Sequence, residues 1–356
     1  MTGILARYLS TVTLRHYAAF ALASVAGATL IGFLENRDGL LDDPSVGMLE
    51  GLKYSALSAP GMFSLLAGFI ALMAVLIAAV TLLRQSELKA LLAAGLGHGQ
   101  LALALAPAAV LIFGFHFMME NVVLPRSSAE LRAWGVGKTW RHQPGETEAI
   151  WTRDGRYIVA IRDLRRSDRT LVGLDLFAMG AAGDLEWHAS APTARIENGY
   201  LRAPAGNRTV VATLRTAPVH GLRVPTTLDF DTLALLAPHP ARMSAWDIAR
   251  VLGRSGPASH PRHLYWLWLQ RKLAAPLTAA LAVFLLVPLV ERLHRIGATR
   301  TVLAGLAAGF CYFVGDGILT GMAEAGLIRT AIAAWAMPAM LALLIALAAR
   351  GARRPG

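Results

Sequence analysis

Residues 54–83 read YSALSAPGMFSLLAGFIALMAVLIAAVTLL, and these 30 consecutive positions contain no charged side chain. An α-helix rises about 1.5 Å per residue, so this stretch is longer than the roughly 30 Å hydrocarbon core of a bilayer. An apolar run of this length predicts a membrane-spanning helix. It is also atypical of an ordinary soluble enzyme of this size.

Five further stretches have the same character, and one of them is interrupted only by Asp316. They are Tyr17–Leu34, Ala90–Met119, Leu273–Val290, Thr301–Met322 and Thr330–Ala349. About 20 apolar residues suffice to span a bilayer as a helix. The sequence therefore predicts six transmembrane helices, arranged as two groups of three.

Basic residues are concentrated between the two groups. The chain has 356 residues, is 55% hydrophobic and carries a net charge of +11 from 34 Lys and Arg against 23 Asp and Glu. Residues 125–272 contain 21 of these basic residues and 13 of the acidic ones. Most of the excess positive charge belongs to this one segment, which the orientation argued below places outside the membrane, and that location makes nucleic-acid binding a poor interpretation. The single cysteine, Cys311, excludes an internal disulfide framework.

The segment between the two helix groups has the pattern of an all-β domain. Short runs rich in Val, Leu, Thr and aromatic residues are separated by the predicted turn pairs Asp154-Gly155, Gly183-Asp184, Asn198-Gly199 and Gly206-Asn207. The predicted strands are Ala149–Arg153, Arg156–Ile161, Thr170–Met179, Asp184–Ser190, Gly199–Ala203 and Arg208–Thr216. Their near-regular spacing favours a sandwich or roll. Ser244 and Asp247 form a capping-box pattern, which predicts a short helix reaching Leu252.

Basic residues in the short loops predict the orientation. With the N-terminus in the cytoplasm, ten Lys and Arg lie in the cytoplasmic loops and termini, against three in the short outer loops. Cytoplasmic loops of membrane proteins carry such an excess. We therefore expect both termini in the cytoplasm and the β-domain outside the inner membrane.

Residues 84–95, with the sequence RQSELKALLAAG, differ from the apolar runs on either side. They combine both charge signs with strong helix formers and end at Gly95. Glu87 and Leu91 are four residues apart and share a helix face with Leu88 beside them. A short amphipathic helix here would either dock into a groove on a cytoplasmic partner or lie among the lipid headgroups. The residues themselves favour neither alternative.

Six motifs together resemble the lipopolysaccharide export permease family LptF/LptG. Residues 84–95 resemble its cytoplasmic coupling helix, and the other motifs follow in the family's order along nearly the whole chain. These are Leu5-Ala-Arg-Tyr-Leu9, Glu120-Asn-Val-Val-Leu-Pro125, Gly173-Leu-Asp-Leu-Phe177, Arg271-Lys-Leu-Ala-Ala-Pro276, and Gly326-Leu with Ala334-Trp-Ala-Met-Pro338. Glu120-Asn121 and Asp316 make the chain resemble the LptG branch more than LptF.

The resemblance implies a polytopic α-helical membrane protein with six transmembrane helices and an inserted, jelly-roll-like periplasmic β-domain. The expected division is 1–124 for helices 1–3, 125–272 for the β-domain with its connecting helix and linker, and 273–356 for helices 4–6. Such a protein is the permease subunit of an ATP-driven exporter in the bacterial inner membrane. It extracts lipopolysaccharide and passes it to a periplasmic bridge.

Partners and site residues also follow from the resemblance. The expected partners are a second permease of the same family, a dimeric cytoplasmic ATPase, a single-span periplasmic bridge component and lipopolysaccharide. No nucleotide site, metal or cofactor is expected in this chain, so a partner must hydrolyse the ATP. The residues expected to contact the ATPase are Arg84, Ser86, Glu87, Leu88, Leu91 and Gly95.

The expected lipid path includes residues of the first helix and of the β-domain. The LptG branch often carries lysines at the outer end of the first helix, whereas here Arg37 is the only basic residue beside Phe33. Direct contact with lipid phosphates is therefore not supported at that place. The candidates in the β-domain are Trp151, Ile158, Phe177, Trp187 and Val210. For each of them, the alternative is that the residue only packs in the core of the β-domain and does not contact lipid.

Two acidic residues interrupt apolar runs or mark their ends. Asp316 lies within the fifth predicted helix, where an unpaired charge costs about 2.5–3.5 kcal/mol. A polar contact between helices, a hydrated lining and proton chemistry are the alternatives. An aspartyl protease is excluded because Phe313 stands where that motif needs glycine and no second aspartate lies in an apolar run. Glu120 shares a helix face with His116, and we expect a hydrated pair at the membrane boundary.

Two other functions compete with transport. A non-transporting membrane scaffold would anchor the β-domain in an envelope assembly, and it need not bind a cytoplasmic ATPase. An intramembrane enzyme would need a catalytic pair, which the sequence does not provide. Co-purification with an ATPase therefore discriminates between a permease and a scaffold.

Overall fold

The computed structural model describes residues 2–35, 48–84, 98–134, 149–165, 167–253, 258–289 and 298–351. The chain divides into two compact units. A helical unit comprises Met1–Gly137 and Trp266–Gly356, and a sheet unit comprises Lys138–Tyr265. The three-part functional division expected from the sequence stays a prediction.

Nine α-helices and one π-helical segment are described. In chain order the α-helices are α1 Thr2–Glu35, α2 Met48–Arg84, α3 His98–Met118, α4 Leu124–Trp134, α5 Phe230–Leu236, α6 Ala245–Gly253, α7 Arg262–Val283, α8 Ala298–Glu324 and α9 Thr330–Gly351. The π-helical segment, Met119–Val123, joins α3 to α4 without a break. The capping box predicted for α6 is confirmed, because the backbone N–H of Asp247 donates to Ser244 Oγ at 3.1 Å.

Five helical stretches are long and apolar enough to cross a membrane. They are Gly3–Leu34, Leu49–Arg84, Gly99–Trp134, Thr299–Glu324 and Thr330–Leu347. The predicted span Leu273–Val290 is not among them. Its described helix, α7, carries the polar residues Gln270, Arg271 and Lys272 in its middle and gives way to a turn after Val283. Exactly six spans are therefore not confirmed.

The helical unit packs closely where α2 meets α8. Its core is made of buried residues such as Leu82, Leu101 and Ile112. Gly305 faces the Leu76 side chain, and a Cβ atom added there would lie 2.7 Å from Leu76 Cδ2. Small residues allow this close approach between membrane helices, for which the bilayer provides no hydrophobic driving force.

The sheet unit contains one six-stranded antiparallel sheet. Its strands are β1 Ile150–Asp154, β2 Tyr157–Arg165, β3 Thr170–Met179, β4 Leu185–Glu197, β5 Tyr200–Val210 and β6 Arg215–Pro225. They lie in the order β1-β2-β3-β4-β5-β6, so each strand pairs with its neighbours in the sequence. The predicted all-β insert is therefore confirmed as one antiparallel sheet in sequence order, whereas its sandwich or jelly-roll form stays a prediction.

The predicted turn at Gly206-Asn207 is wrong, because β5 runs through it without interruption. A Cβ atom on Gly206 would lie 2.6 Å from the Ser190 carbonyl oxygen of the neighbouring strand. Glycine is therefore needed there for close approach between two strands. The chain reverses instead after Val210, and the positive φ of 50° at Leu214 belongs to that turn.

Candidate functional site

A buried ion pair joins distant parts of the helical unit. Lys272 Nζ on α7 lies 2.8 Å from Glu120 Oε2 in the π-helical segment, and the two side chains are only 0% and 6% exposed. The Ser64 hydroxyl on α2 donates a hydrogen bond to the other oxygen of the same carboxylate. Three elements therefore meet at one carboxylate.

The π-helical segment gives Lys272 a second acceptor. The Leu124 backbone N–H donates to the Met119 carbonyl oxygen, which is the i to i−5 pattern of a π-helix. The next residue, Pro125, has no N–H with which to continue that pattern to Glu120. Lys272 Nζ lies 3.0 Å from the Glu120 carbonyl oxygen and takes the place of the missing donor. The Glu120–Pro125 motif thus creates both acceptors for one lysine.

His116 lies beside this pair and is completely buried. Its Nε2 is 3.7 Å from Glu120 Oε1, which is too long for a hydrogen bond. Its ring packs edge-on against Phe63, with centroids 5.3 Å apart. Within the described residues neither ring nitrogen has a hydrogen-bond partner. His116 therefore lies beside Glu120, as their spacing predicts, but both side chains are buried and the cation nearest to the carboxylate is Lys272. Hydration of the pair stays a prediction.

A second ion pair links α7 to α8. The Arg271 guanidinium donates two hydrogen bonds to the Asp316 carboxylate, with lengths of 3.0 and 2.7 Å. The two side chains are 16% and 23% exposed, so this pair is less buried than the first. Asp316 thus makes a polar contact between helices, one of the three roles considered from the sequence.

Further polar contacts extend from the same end of α7. Trp268 Nε1 donates to Glu324 Oε1 of α8 at 3.1 Å. The Gln270 side-chain oxygen accepts a bond of 3.2 Å from Trp335 Nε1 of α9. Residues 268–272 therefore bind α8, α9 and the π-helical segment. Among the described residues no group of three or more His, Cys, Asp or Glu side chains could hold a metal ion.

The predicted site residues of the helical unit are only partly described. Arg84 is the last residue of α2. Arg37, Ser86, Glu87, Leu88, Leu91 and Gly95 lie outside the described residues. Phe33, near the end of α1, packs against Gly51 of α2, where an added Cβ atom would lie 2.9 Å from Phe33 Cε2.

The five lipid-path candidates of the sheet unit fall into two groups. Trp151 stacks on Phe177 with centroids 5.8 Å apart, and Ile158 lies directly opposite Phe177 on β2. Trp187 lies directly opposite Val210 of β5. Its neighbour in the sequence, His188, is the residue that lies directly opposite Phe177 of β3. Because successive residues of a strand point to opposite faces, the two groups occupy different faces of the sheet. The five residues therefore do not line one surface.

Sequence reasoning missed the partners of both acidic residues. Arg271 and Lys272 stand at the border of an apolar run, and the expected domain division places them in the β-domain. The two acidic residues themselves indicated that cations must lie nearby, since a carboxylate in an apolar helix needs a cation. Arg271 and Lys272 are the basic residues that lead into a predicted span on the expected outer side.

Long apolar helices joined by buried ion pairs, with a β-sheet inserted between two helix groups, define a multi-pass membrane protein. The model of the family "Lipopolysaccharide export system permease LptF/LptG" matches residues 7–350. The chain belongs to this family, and it is a membrane component of lipopolysaccharide transport rather than a catalytic enzyme. The match covers both branches, so the LptG assignment stays a prediction. A search among curated proteins finds no match.

The Arg271–Asp316 pair makes a prediction for Asp316→Asn. The substitution leaves the Arg271 charge without its counter-ion in a largely buried place, so we expect a loss of about 1–3 kcal/mol in unfolding free energy. Thermal unfolding of the purified protein in detergent measures it. Glu186→Gln is the control, because the Arg156–Glu186 pair is exposed and contributes little. Equal stability of Asp316→Asn and the parent protein would show that the pair does not hold the two helices together.

Proposed function

We propose that this protein is a permease subunit of an ATP-driven lipopolysaccharide exporter. It removes the lipid from the inner membrane and passes it to a periplasmic bridge. The observation that carries this proposal is the family match across residues 7–350, which includes both helix groups and the sheet between them. The proposed partners are a second permease of the family, a dimeric cytoplasmic ATPase and a single-span bridge component.

The proposed topology places both termini in the cytoplasm and the sheet unit in the periplasm. It includes residues 273–290 as one further span, which is the fourth along the chain and brings the total to six. It also includes a jelly-roll-like curvature of the sheet. The distribution of Lys and Arg in the short loops supports this orientation. Residues 268–272 then lie on the periplasmic side of this further span. Their contacts with Glu324 and Trp335 would lie near the membrane boundary.

Moving lipopolysaccharide requires continuous cover for its acyl chains. Exposing them to water costs about 0.8 kcal/mol for each CH₂ group. Trp151, Ile158 and Phe177 form a connected apolar surface in the sheet unit, and the Trp151 side chain is 49% exposed although it is large and apolar. We propose that these three residues belong to the lipid path and that Phe33 serves it in the helical unit.

Coupling to ATP hydrolysis is assigned to residues 84–95. Arg84 ends a helix of 37 residues, so a push on its cytoplasmic end is transmitted along a rigid element. The same helix carries Ser64, which binds Glu120, and Gly68, which packs against Tyr312 of α8. Movement at residues 84–95 would therefore reach the ion-paired region through α2.

Glu87→Arg tests the coupling role. The substitution reverses a charge on the face proposed to contact the ATPase, so lipopolysaccharide-stimulated ATPase activity and transport should fall at least tenfold. Expression and thermal unfolding should stay unchanged, because the substitution exchanges one charged residue for another in the polar segment between two apolar runs. Glu186→Arg is a matched reversal at an exposed site of the sheet. Normal stimulated ATPase activity and transport in a complex containing Glu87→Arg would refute the role of this segment.

Site-specific photocrosslinking tests the lipid path. Photoreactive residues that replace Trp151, Phe177 and Phe33 should form adducts with lipopolysaccharide in an active complex during ATP hydrolysis. Probes at Trp187 and Val210 report on the other face of the sheet, and a probe at Leu214, which is 81% exposed in the turn after Val210, serves as the control. If none of the three path positions forms adducts while the complex transports lipid, the proposed path is wrong.

A further inference from the structure

A row of arginines crosses five strands of the sheet. Arg165 on β2 lies directly opposite Thr170 on β3, which lies opposite Arg195 on β4. Arg195 lies opposite Arg202 on β5, and Arg202 lies opposite Arg223 on β6. Directly opposed residues of adjacent strands project from the same face. We call Arg165, Arg195, Arg202 and Arg223 the arginine row.

The row has fewer carboxylates than guanidinium groups. Asp168 is shared by Arg165 at 3.9 Å and Arg195 at 3.8 Å. Arg202 lies 3.6 Å from Glu197, and Arg223 lies over the Tyr200 ring, 3.7 Å from its centroid. The four arginines together with the carboxylates of Asp168 and Glu197 therefore carry a net charge of +2. Like charges that face each other across strands are destabilising, so this arrangement is unfavourable without a bound anion.

Two exposed arginines of the sheet unit outside the row are compensated more fully. Arg156 has its own partner, with Nη2 2.5 Å from Glu186 Oε2. Arg169 lies within ion-pair distance of two carboxylates, Asp231 at 2.9 Å and Asp229 at 3.9 Å. Each of these two arginines therefore has at least one carboxylate, whereas the four members of the arginine row have two carboxylates between them.

Asp168 fixes the position of two arginines in the row. Hydrogen bonding from Thr170, together with the nearby Arg165 charge, holds the pKa of Asp168 below its ordinary value. The carboxylate therefore stays ionised at neutral pH. The Thr170 hydroxyl donates to Asp168 at 2.9 Å and accepts from Arg195 Nε at 3.2 Å. Arg195 is thereby oriented while most of its five N–H donors remain available for a ligand.

The row borders a cavity of about 680 Å³. All four arginines line it, together with the carboxylates of Asp168 and Glu197 and with smaller residues such as Thr193 and Gly221. Neighbouring strands are about 4.8 Å apart, so Arg195, Arg202 and Arg223 span roughly 10 Å. Guanidinium groups bind phosphate oxygens in a bidentate manner, and two or three of them at this spacing suit a phosphate group.

We infer that the arginine row is a binding site for a phosphate-bearing anion, and that this anion is a phosphorylated glycolipid headgroup. The inference rests on the proposed function, because lipopolysaccharide brings phosphate groups to this domain only if the protein carries it. Arg195 and Arg202 make the central contacts, Arg223 completes one end and Arg165 the other. Free inorganic phosphate shares this chemistry and is separated from the lipid by the test.

The test measures binding to the purified full-length protein in detergent. The probes are intact lipopolysaccharide, lipopolysaccharide from which the phosphates have been removed, and inorganic phosphate. The double variant Arg195→Gln/Arg202→Gln should bind intact lipid about tenfold more weakly than the parent protein. Phosphate-free lipid should bind both proteins equally. Arg215→Gln is the matched control, an exposed arginine on β6 that does not line the cavity.

Folding and function are controlled separately. The double variant removes repulsion between like charges, so its melting temperature should be unchanged or higher than that of the parent protein. If the double variant does not fold, the single substitution Arg223→Gln replaces it in the binding measurement. Parental affinity of the variants for intact lipid, with normal binding by the parent protein, overturns the inference and leaves the permease proposal intact.

Failure of the parent protein to bind lipopolysaccharide in any form contradicts the proposed function instead. Saturable binding of inorganic phosphate that the double variant loses then supports an anion site filled from free phosphate. Absence of phosphate binding as well overturns the site.

Discussion

The buried pair of Glu120 and Lys272 is the constraint on which the helical unit depends. Leaving one charge of a buried ion pair without its partner costs about 3–5 kcal/mol, and each of these two buried residues removes that cost for the other. The pair connects positions that are 152 residues apart in the sequence. Because Ser64 binds the same carboxylate, α2, the π-helical segment and α7 must meet at one point. The neighbouring Arg271–Asp316 pair adds α8 to the same region.

The local backbone explains why this lysine takes this place. Pro125 removes the N–H that would bind the Glu120 carbonyl oxygen, and the Lys272 ammonium group supplies a donor at 3.0 Å. An ammonium group has three donors. Glu120 offers two acceptors to it, one on the side chain and one on the backbone. The motif Glu120–Pro125 thus encodes a lysine site rather than a simple helix end, and Arg271-Lys272 is the part of the sequence that fills it.

The sequence predicted what depends on composition and local pattern. Of the six spans predicted from apolar length, five correspond to described helices that are long and apolar enough to cross a membrane. Turn pairs together with β-branched residues placed β3 at Thr170–Met179, as observed. It could not predict contacts that only the fold creates. The partner of Glu120 lies 152 residues away, and the arginine row appears only when the register of four strand pairs is known. Gly206 was misinterpreted because glycine serves a turn and a close strand approach equally well.

The central claim is that Glu120 and Lys272 stabilise the helical unit through each other, and a double-mutant cycle tests it most directly. The free energy of unfolding would be measured for Glu120→Gln, Lys272→Met and the double variant in detergent. We expect each single substitution to cost about 3–5 kcal/mol, because it strands a buried charge or leaves its acceptors unpaired, and the double variant to lose much less than the sum. Strictly additive losses would contradict the account.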